Sequence, residues 1–239
     1  MSKCSFRQAV GYYRQPALRH ALANQTCGGR ARVAHNGITP AKSRCLGSRL
    51  AGSQQVSELS LAPDHALAQY QLARVYIHTN RPAEGIAKCE HVLRLDRNLA
   101  AAHSSIGVAK IFTGRAEETE SHVLEALRLS PRDTVAHAWM FVAGAAKLYL
   151  GRDEEGAVWV RRSIETNQNF PIAHFMLGSA LAHLGKMSDA LAATQAGLVL
   201  DPTFTIQRHR VGASSDHPTY LEQRVRIHEG MRTAGVPEG

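Results

Sequence analysis

Residues 100–131 read AAAHSSIGVAKIFTGRAEETESHVLEALRLSP, and they decide the fold. A first apolar run carries the small pair Ile106-Gly107, Gly114 marks a turn, and a second run holds Ala126 before Leu129-Ser130-Pro131 stops it. Between Glu117 and Leu129, the residues Val123, Leu124, Ala126 and Leu127 share one helical stripe. Glu117, Glu118, Glu125 and Arg128 mark the wet side, as a half-buried helix requires. The segment therefore predicts two helices joined by a glycine turn, with one apolar face between them. Such a hairpin buries that face only against neighbours of its own kind.

Those neighbours are present. Ala66 opens one unit with Leu72-Ala73, Tyr76, a turn at Asn80, Gly85 and Leu95-Asp96-Arg97. A third unit, from His137, has Ala143-Gly144, Gly151 and Gly156. A fourth, from Pro171, has Leu177-Gly178, Leu181, Gly185, Ala190 and Leu200-Asp201-Pro202. Ala73 to Gly107 and Gly144 to Gly178 are both 34 residues, while Gly107 to Gly144 is 37, which places a three-residue insertion near 134–136. The pattern resembles the tetratricopeptide repeat, a helix-turn-helix of 34 residues. The resemblance implies an all-α, right-handed α-solenoid over 61–204, with repeats at 66–99, 100–133, 137–170 and 171–204. Two departures stand out. The family's early Trp is replaced by Gln69, His103, Met140 and His174, and Asn80 stands where the other units turn on Gly.

Residues 205–239 are expected to hold a connector and a C-terminal capping helix. Ser214-Ser215-Asp216-His217-Pro218 reads as a helix start, and Gly235 with Pro237 as a stop after Ala234. Tyr220, Leu221, Val225, Ile227 and Met231 are its apolar positions.

Composition agrees with helices: 44% of the 239 residues are hydrophobic and only 6% aromatic. The net charge of +8 is confined to residues 1–60, which hold nine Lys or Arg against the single acid Glu58. The remainder is neutral, so a non-specific nucleic-acid surface on it has no electrostatic support. The basic segment shows no sustained periodicity and is expected to be disordered. An organellar transit peptide, a tail from a shifted reading frame, and an anchor for nucleic acid or anionic membrane are its other readings. The most apolar window, Thr134–Leu150, is broken by His137 and Lys147, which excludes a membrane-spanning helix. Cys4, Cys27, Cys45 and Cys89 form no C-x-x-C pair, so the usual zinc and redox signatures are absent and a reducing cytoplasm is the expected compartment.

No catalytic residue, metal ligand or cofactor is implied. The 13 histidines form no H-E-x-x-H motif. His103 and His174 share a repeat position that points to packing, with His137 a displaced counterpart. The acidic runs Glu117-Glu118 and Asp153-Glu154-Glu155 follow turn glycines, where carboxylates suit the start of a helix. Cys89 reads as a buried small hydrophobe.

What remains is a groove. The tetratricopeptide resemblance implies a concave face lined by first helices, and the family's inward positions fall on Tyr70, Arg74, Ile77, Ser104, Val108, Ile111, Phe141, Ala145, Leu148, Phe175, Ser179 and Ala182. This lining is apolar and small, with Arg74 its only charge; Phe141 and Phe175 are equally open to a core role. The Lys/Asn/Arg clamp of some relatives is not reproduced. A protein or peptide partner is expected, with an apolar or amphipathic helix fitting best. A closer resemblance lies in Glu117–Leu150, Arg161–Glu165, Pro171–Phe175, Gly212–Asp216 and Gly230–Glu238. These stretches resemble the C-terminal repeat region of bacterial class III adenylate/guanylate cyclases, over about residues 62–239. No strand-rich segment carries the metal-binding aspartates of a cyclase domain. That resemblance implies a detached regulatory module, with a nucleotide cyclase as a candidate partner.

Overall fold

Gly114, Gly151 and Gly185 each adopt a φ of 73°, and Asn80 adopts 62° at the equivalent turn. This left-handed conformation is open to glycine at no steric cost and to asparagine more readily than to most residues. Each turn reverses the chain between two helices. The computed structural model describes residues 65–239; residues 1–60, with the expectations attached to them, lie outside the described residues. Among the described residues there is no strand.

Four helix pairs follow one another: α1 (Ala66–His78) with α2 (Pro82–Leu95), α3 (Ala100–Phe112) with α4 (Thr119–Leu129), α5 (Ala136–Tyr149) with α6 (Asp153–Thr166), and α7 (Pro171–His183) with α8 (Met187–Leu200). Each second helix also packs on the next first helix, α2 on α3, α4 on α5 and α6 on α7, which makes the array an α-solenoid of helical repeats. The second helix of the second repeat is reached through a short 3-10 turn, Ala116–Glu118, so Glu117 and Glu118 precede α4 instead of opening it. The insertion lodges in the loop before α5. There the Asp133 carboxylate accepts bonds from the Val135 amide at 3.0 Å and the Ser130 hydroxyl at 3.3 Å. Lys147 of α5 ties neighbouring elements together, with Glu120 of α4 and Glu155 of α6 each 2.7 Å away.

The repeat register runs past the fourth pair. Phe204 stands 34 residues after Phe170, and Gly212 stands 34 after Gly178. The short helix α9 (Ile206–Val211) is thus the beginning of a fifth first helix, abandoned at Gly212. The chain then turns back into α10 (Pro218–Thr233), and its last residues return to α9, where the amides of Ile206 and Gln207 donate to the carbonyls of Pro237 and Glu238, both at 2.9 Å.

The expected helix from Pro218 is therefore present, and it closes the array from the side. It lies against the first helices α7 and α5. Tyr220 sits between Phe112 and Tyr149, with ring centroids 5.1 and 5.6 Å away. Ser179 donates to the Ile227 carbonyl at 3.0 Å, and the His183 ring nitrogen lies 2.9 Å from the Arg226 carbonyl. Gly230 lets the backbones meet, because a Cβ there would fall 2.8 Å from the Ser179 carbonyl oxygen. Ile227 and Met231 are fully buried in one core cluster with Leu148, Phe175, Leu181 and Phe204. Burying each contributes roughly 1.5–3 kcal/mol, so this arm is part of the folded body.

Candidate functional site

The face of the first helices is divided between the arm and solvent. Its C-terminal half, over α5 and α7, lies under α10. Along α1, α3 and the start of α5, four of the expected groove residues, Tyr70, Arg74, Val108 and Phe141, are partly buried and keep some exposure. Tyr70 and Ser105 bring their hydroxyls within 3.2 Å across α1 and α3. Burial raises the Tyr70 phenol above its ordinary range, so it stays a neutral hydrogen-bonding group. Phe141 packs edge-on against Phe170, and so does His137, both with centroids 5.2 Å away.

Arg74 is held over this patch. Its guanidinium donates to the Gln71 amide oxygen at 3.3 Å and lies 6.0 Å from the Tyr70 ring centroid. One helical turn on, His78 is pushed down to about 4, first by burial and then by the Arg74 charge.

The other expected lining residues are interior. Ile77 and Leu148 are each 1% exposed. They sit where a Cβ on Gly85 or Gly156 of the following second helix would come within 2.3 and 2.4 Å of them. In these two repeats the position turns into its own hairpin, where the partner helix offers a glycine. Ser104, Ile111 and Ala145 are buried as well. Phe175 stacks on Phe204 with centroids 3.9 Å apart and planes at 11°, which settles it as core. Ser179 is spent on the arm, and Ala182 is half-buried. Ser105 and Gln71 joined the patch unforeseen; each lies one position past the stripe read from the sequence.

The remaining polar candidates have structural partners. His137 is buried, its ring nitrogen 3.1 Å from the Asn167 amide. His174 sits 3.0 Å from the Gln168 carbonyl, and His103 faces His122 at 6.4 Å between centroids. Burial raises the Cys89 thiol to about 12, so it is inert. Among the described residues no group of three or more His, Cys, Asp or Glu is placed to hold a metal ion. Nor is any of their helices long and apolar enough to cross a membrane.

No family model and no curated protein matches the chain. Solved structures do. The chain is similar to YrrB, described as a TPR protein with an unusual peptide-binding site, at 20% identity over 75% of this chain and 90% of that one, with a TM-score of 0.50. It is also similar to PilW, a type IV pilus biogenesis factor, at 17% identity over 76% of this chain and 82% of that one, with a TM-score of 0.58. For PilF of Pseudomonas aeruginosa the values are 16%, 76%, 80% and 0.59. The fold is therefore that of the tetratricopeptide-repeat proteins.

Proposed function

We propose that the chain is a non-catalytic scaffold that binds a protein or peptide partner on the exposed part of its first-helix face. The observation that carries this reading is the division of the face: α10 covers the half over α5 and α7, and Tyr70, Arg74, Val108 and Phe141 reach solvent on the rest. First helices packed about 10 Å apart give a floor of about 20 Å from α1 across α3 to the uncovered start of α5, room for roughly six extended residues. The peptide-binding site described for YrrB supports a peptide ligand of that kind. A random twelve-residue peptide library panned against the full chain tests the reading. Selected peptides should lose binding to Val108→Glu while that variant melts like the parent. Peptides indifferent to Val108→Glu would remove the face from consideration.

A second reading makes the chain a regulatory module of nucleotide-cyclase signalling. It rests on the sequence likeness alone, whose most specific part, the tail from Gly212 through Glu238, forms the connector and the arm that closes the array. The full chain added to a class III cyclase catalytic domain should then change its turnover. Unchanged turnover would dismiss this second reading.

A further inference from the structure

The outer surface of the array changes character at its last second helix. α2, α4 and α6 each lie between two first helices, whereas α8 packs on α7 and the first helix that would follow stops after six residues as α9. One position of the register shows the consequence. Ile86, Glu120, Ala157 and Leu191 follow one another at steps of 34, 37 and 34 residues. Ile86 and Ala157 are 7% and 2% exposed, and Glu120 reaches the next first helix through Lys147, but Leu191 is 52% exposed. Val199 stands where the earlier repeats have Arg94, Arg128 and Glu165, and it is 71% exposed. With Gln195 between them at four-residue intervals, Leu191 and Val199 lie along one stripe of α8. That stripe carries no charge, because the only ionised side chain of the helix, Asp189, is set about 120° round it from Gln195. The terminal repeat of a solenoid needs a polar outer face, and large apolar side chains left there mark a surface that is covered.

Symmetry names the occupant. About a twofold axis through Gln195, an antiparallel α8 places Leu191 of one copy opposite Val199 of the other and Gln195 opposite itself. A residue on such an axis must pair with its own kind. An amide, holding both a donor and an acceptor, can do so, and an ion cannot. We propose that α8 pairs antiparallel with α8 of a second copy of this chain, Leu191 packing on the partner's Val199 and the two Gln195 amides bonding across the axis. This interface is separate from the first-helix face and stands without the scaffold reading; where that face holds a ligand, pairing makes the particle bivalent. The 14-residue helix offers a strip of about 21 by 10 Å, well under the roughly 800 Å² per partner of a standard interface, so the dimer dissociates at roughly micromolar concentrations.

Sedimentation equilibrium of the full chain over a range of concentrations tests the proposal. The mass should rise from that of one chain to that of two and no further. Gln195→Glu and Gln195→Lys each set like charges face to face on the axis and should weaken association at least about tenfold. Both variants should melt like the parent, since this side chain is exposed. Mixed in equal amounts, the two variants should associate again, while Val199→Glu alone should remain a single chain. The proposal is overturned by a parent that stays single at every concentration, or by growth beyond two copies, as head-to-tail stacking onto α1 would give. A dimer that tolerates Gln195→Lys and Val199→Glu, or a mixture of the two Gln195 variants that does not associate, overturns it equally.

Discussion

Asn80 and Asp216, 136 residues apart, exchange two hydrogen bonds: the Asn80 amide donates to the Asp216 carboxylate at 2.7 Å, and the Asp216 backbone amide returns a bond to Asn80 Oδ1 at 3.0 Å. The first turn of the array thereby holds the start of the arm, beside a Ser215 hydroxyl that donates to the Phe112 carbonyl at 2.8 Å. The departure from glycine at this turn is explained. Asn80→Gly should keep the turn and free the arm's leading end, costing about 0.5–1 kcal/mol. Hydrogen exchange should quicken at 214–217 more than in α1 or α2. In a double-mutant cycle Asp216→Ala should add nothing to Asn80→Gly; full additivity would show that the pair is not coupled.

Gly230→Ala should destabilise the protein although alanine is the better helix former by about 1 kcal/mol. The new methyl would meet the Ser179 hydroxyl at 2.3 Å and the His183 ring at 2.6 Å, as well as the Ser179 carbonyl. Overpacking of this kind costs on the order of 1–3 kcal/mol. Thermal melting checks it; a variant as stable as the parent would mean that α10 sits farther from α7.

Arg226 of the arm pairs with Asp153 at the start of α6, with Nη1 donating to Oδ1 at 2.9 Å and Nη2 to the second oxygen. Asp153 is nearly buried and Arg226 about a third exposed, so the attraction is only partly screened. Arg226→Gln strands that carboxylate and should cost about 1–3 kcal/mol in denaturant unfolding. Arg226→Gln with Asp153→Asn should recover part of the loss, which a role for Arg226 in packing alone does not predict.

The junction of α9 and α10 should weaken in mild acid. His209 Nδ1 and His228 Nε2 lie 2.9 Å apart beside the buried Arg224, which donates to the Tyr220 hydroxyl at 3.0 Å and to the His209 carbonyl. Burial, and then Arg224, hold His209 well below 6.5, and burial with Arg224, Arg210 and Arg232 brings His228 to about 4, against a smaller opposing effect of Glu238. For a base whose folded pKa is lowered, the unfolded chain takes the proton first. The stabilisation is complete above pH 6.5 and fades as the pH falls toward about 4, each group contributing on the order of 1 kcal/mol per pH unit. The paired carboxylates Glu118, Glu120 and Glu125 are lowered and stay ionised across most of that interval. Stability measured from pH 7 to 4.5 should decline, and His228→Gln should flatten the decline.

Much of the fold was legible because the 34-residue interval acts through local rules. Gly107 and Gly114 announce a hairpin turn, and the same seven-residue spacing recurs at Gly144/Gly151 and Gly178/Gly185. The start of α10 was legible at Pro218 and its end at Gly235. The placing of α10 was not, because Gly230 and Ser179 are 51 residues apart and nothing in either neighbourhood names the other. That return over α7 is also why Ser179 is interior, whereas Phe175 is covered by Phe204 and by Gly197 of α8. Ile77 and Leu148 were misread for a different reason: their burial depends on Gly85 and Gly156 in the facing helix, and a stripe drawn on one helix does not include its partner. Tyr70, Arg74 and Val108 stayed on the open face because α1 and α3 have only the leading end of the arm beside them.

The most direct test is hydrogen exchange of the full chain with and without a peptide selected on it. Added protection should fall on residues 67–78, 101–112 and 138–142, with α10 unchanged. Protection on α2, α4 and α6, or faster exchange in α10 on binding, would contradict the assignment of the ligand to the open part of the first-helix face.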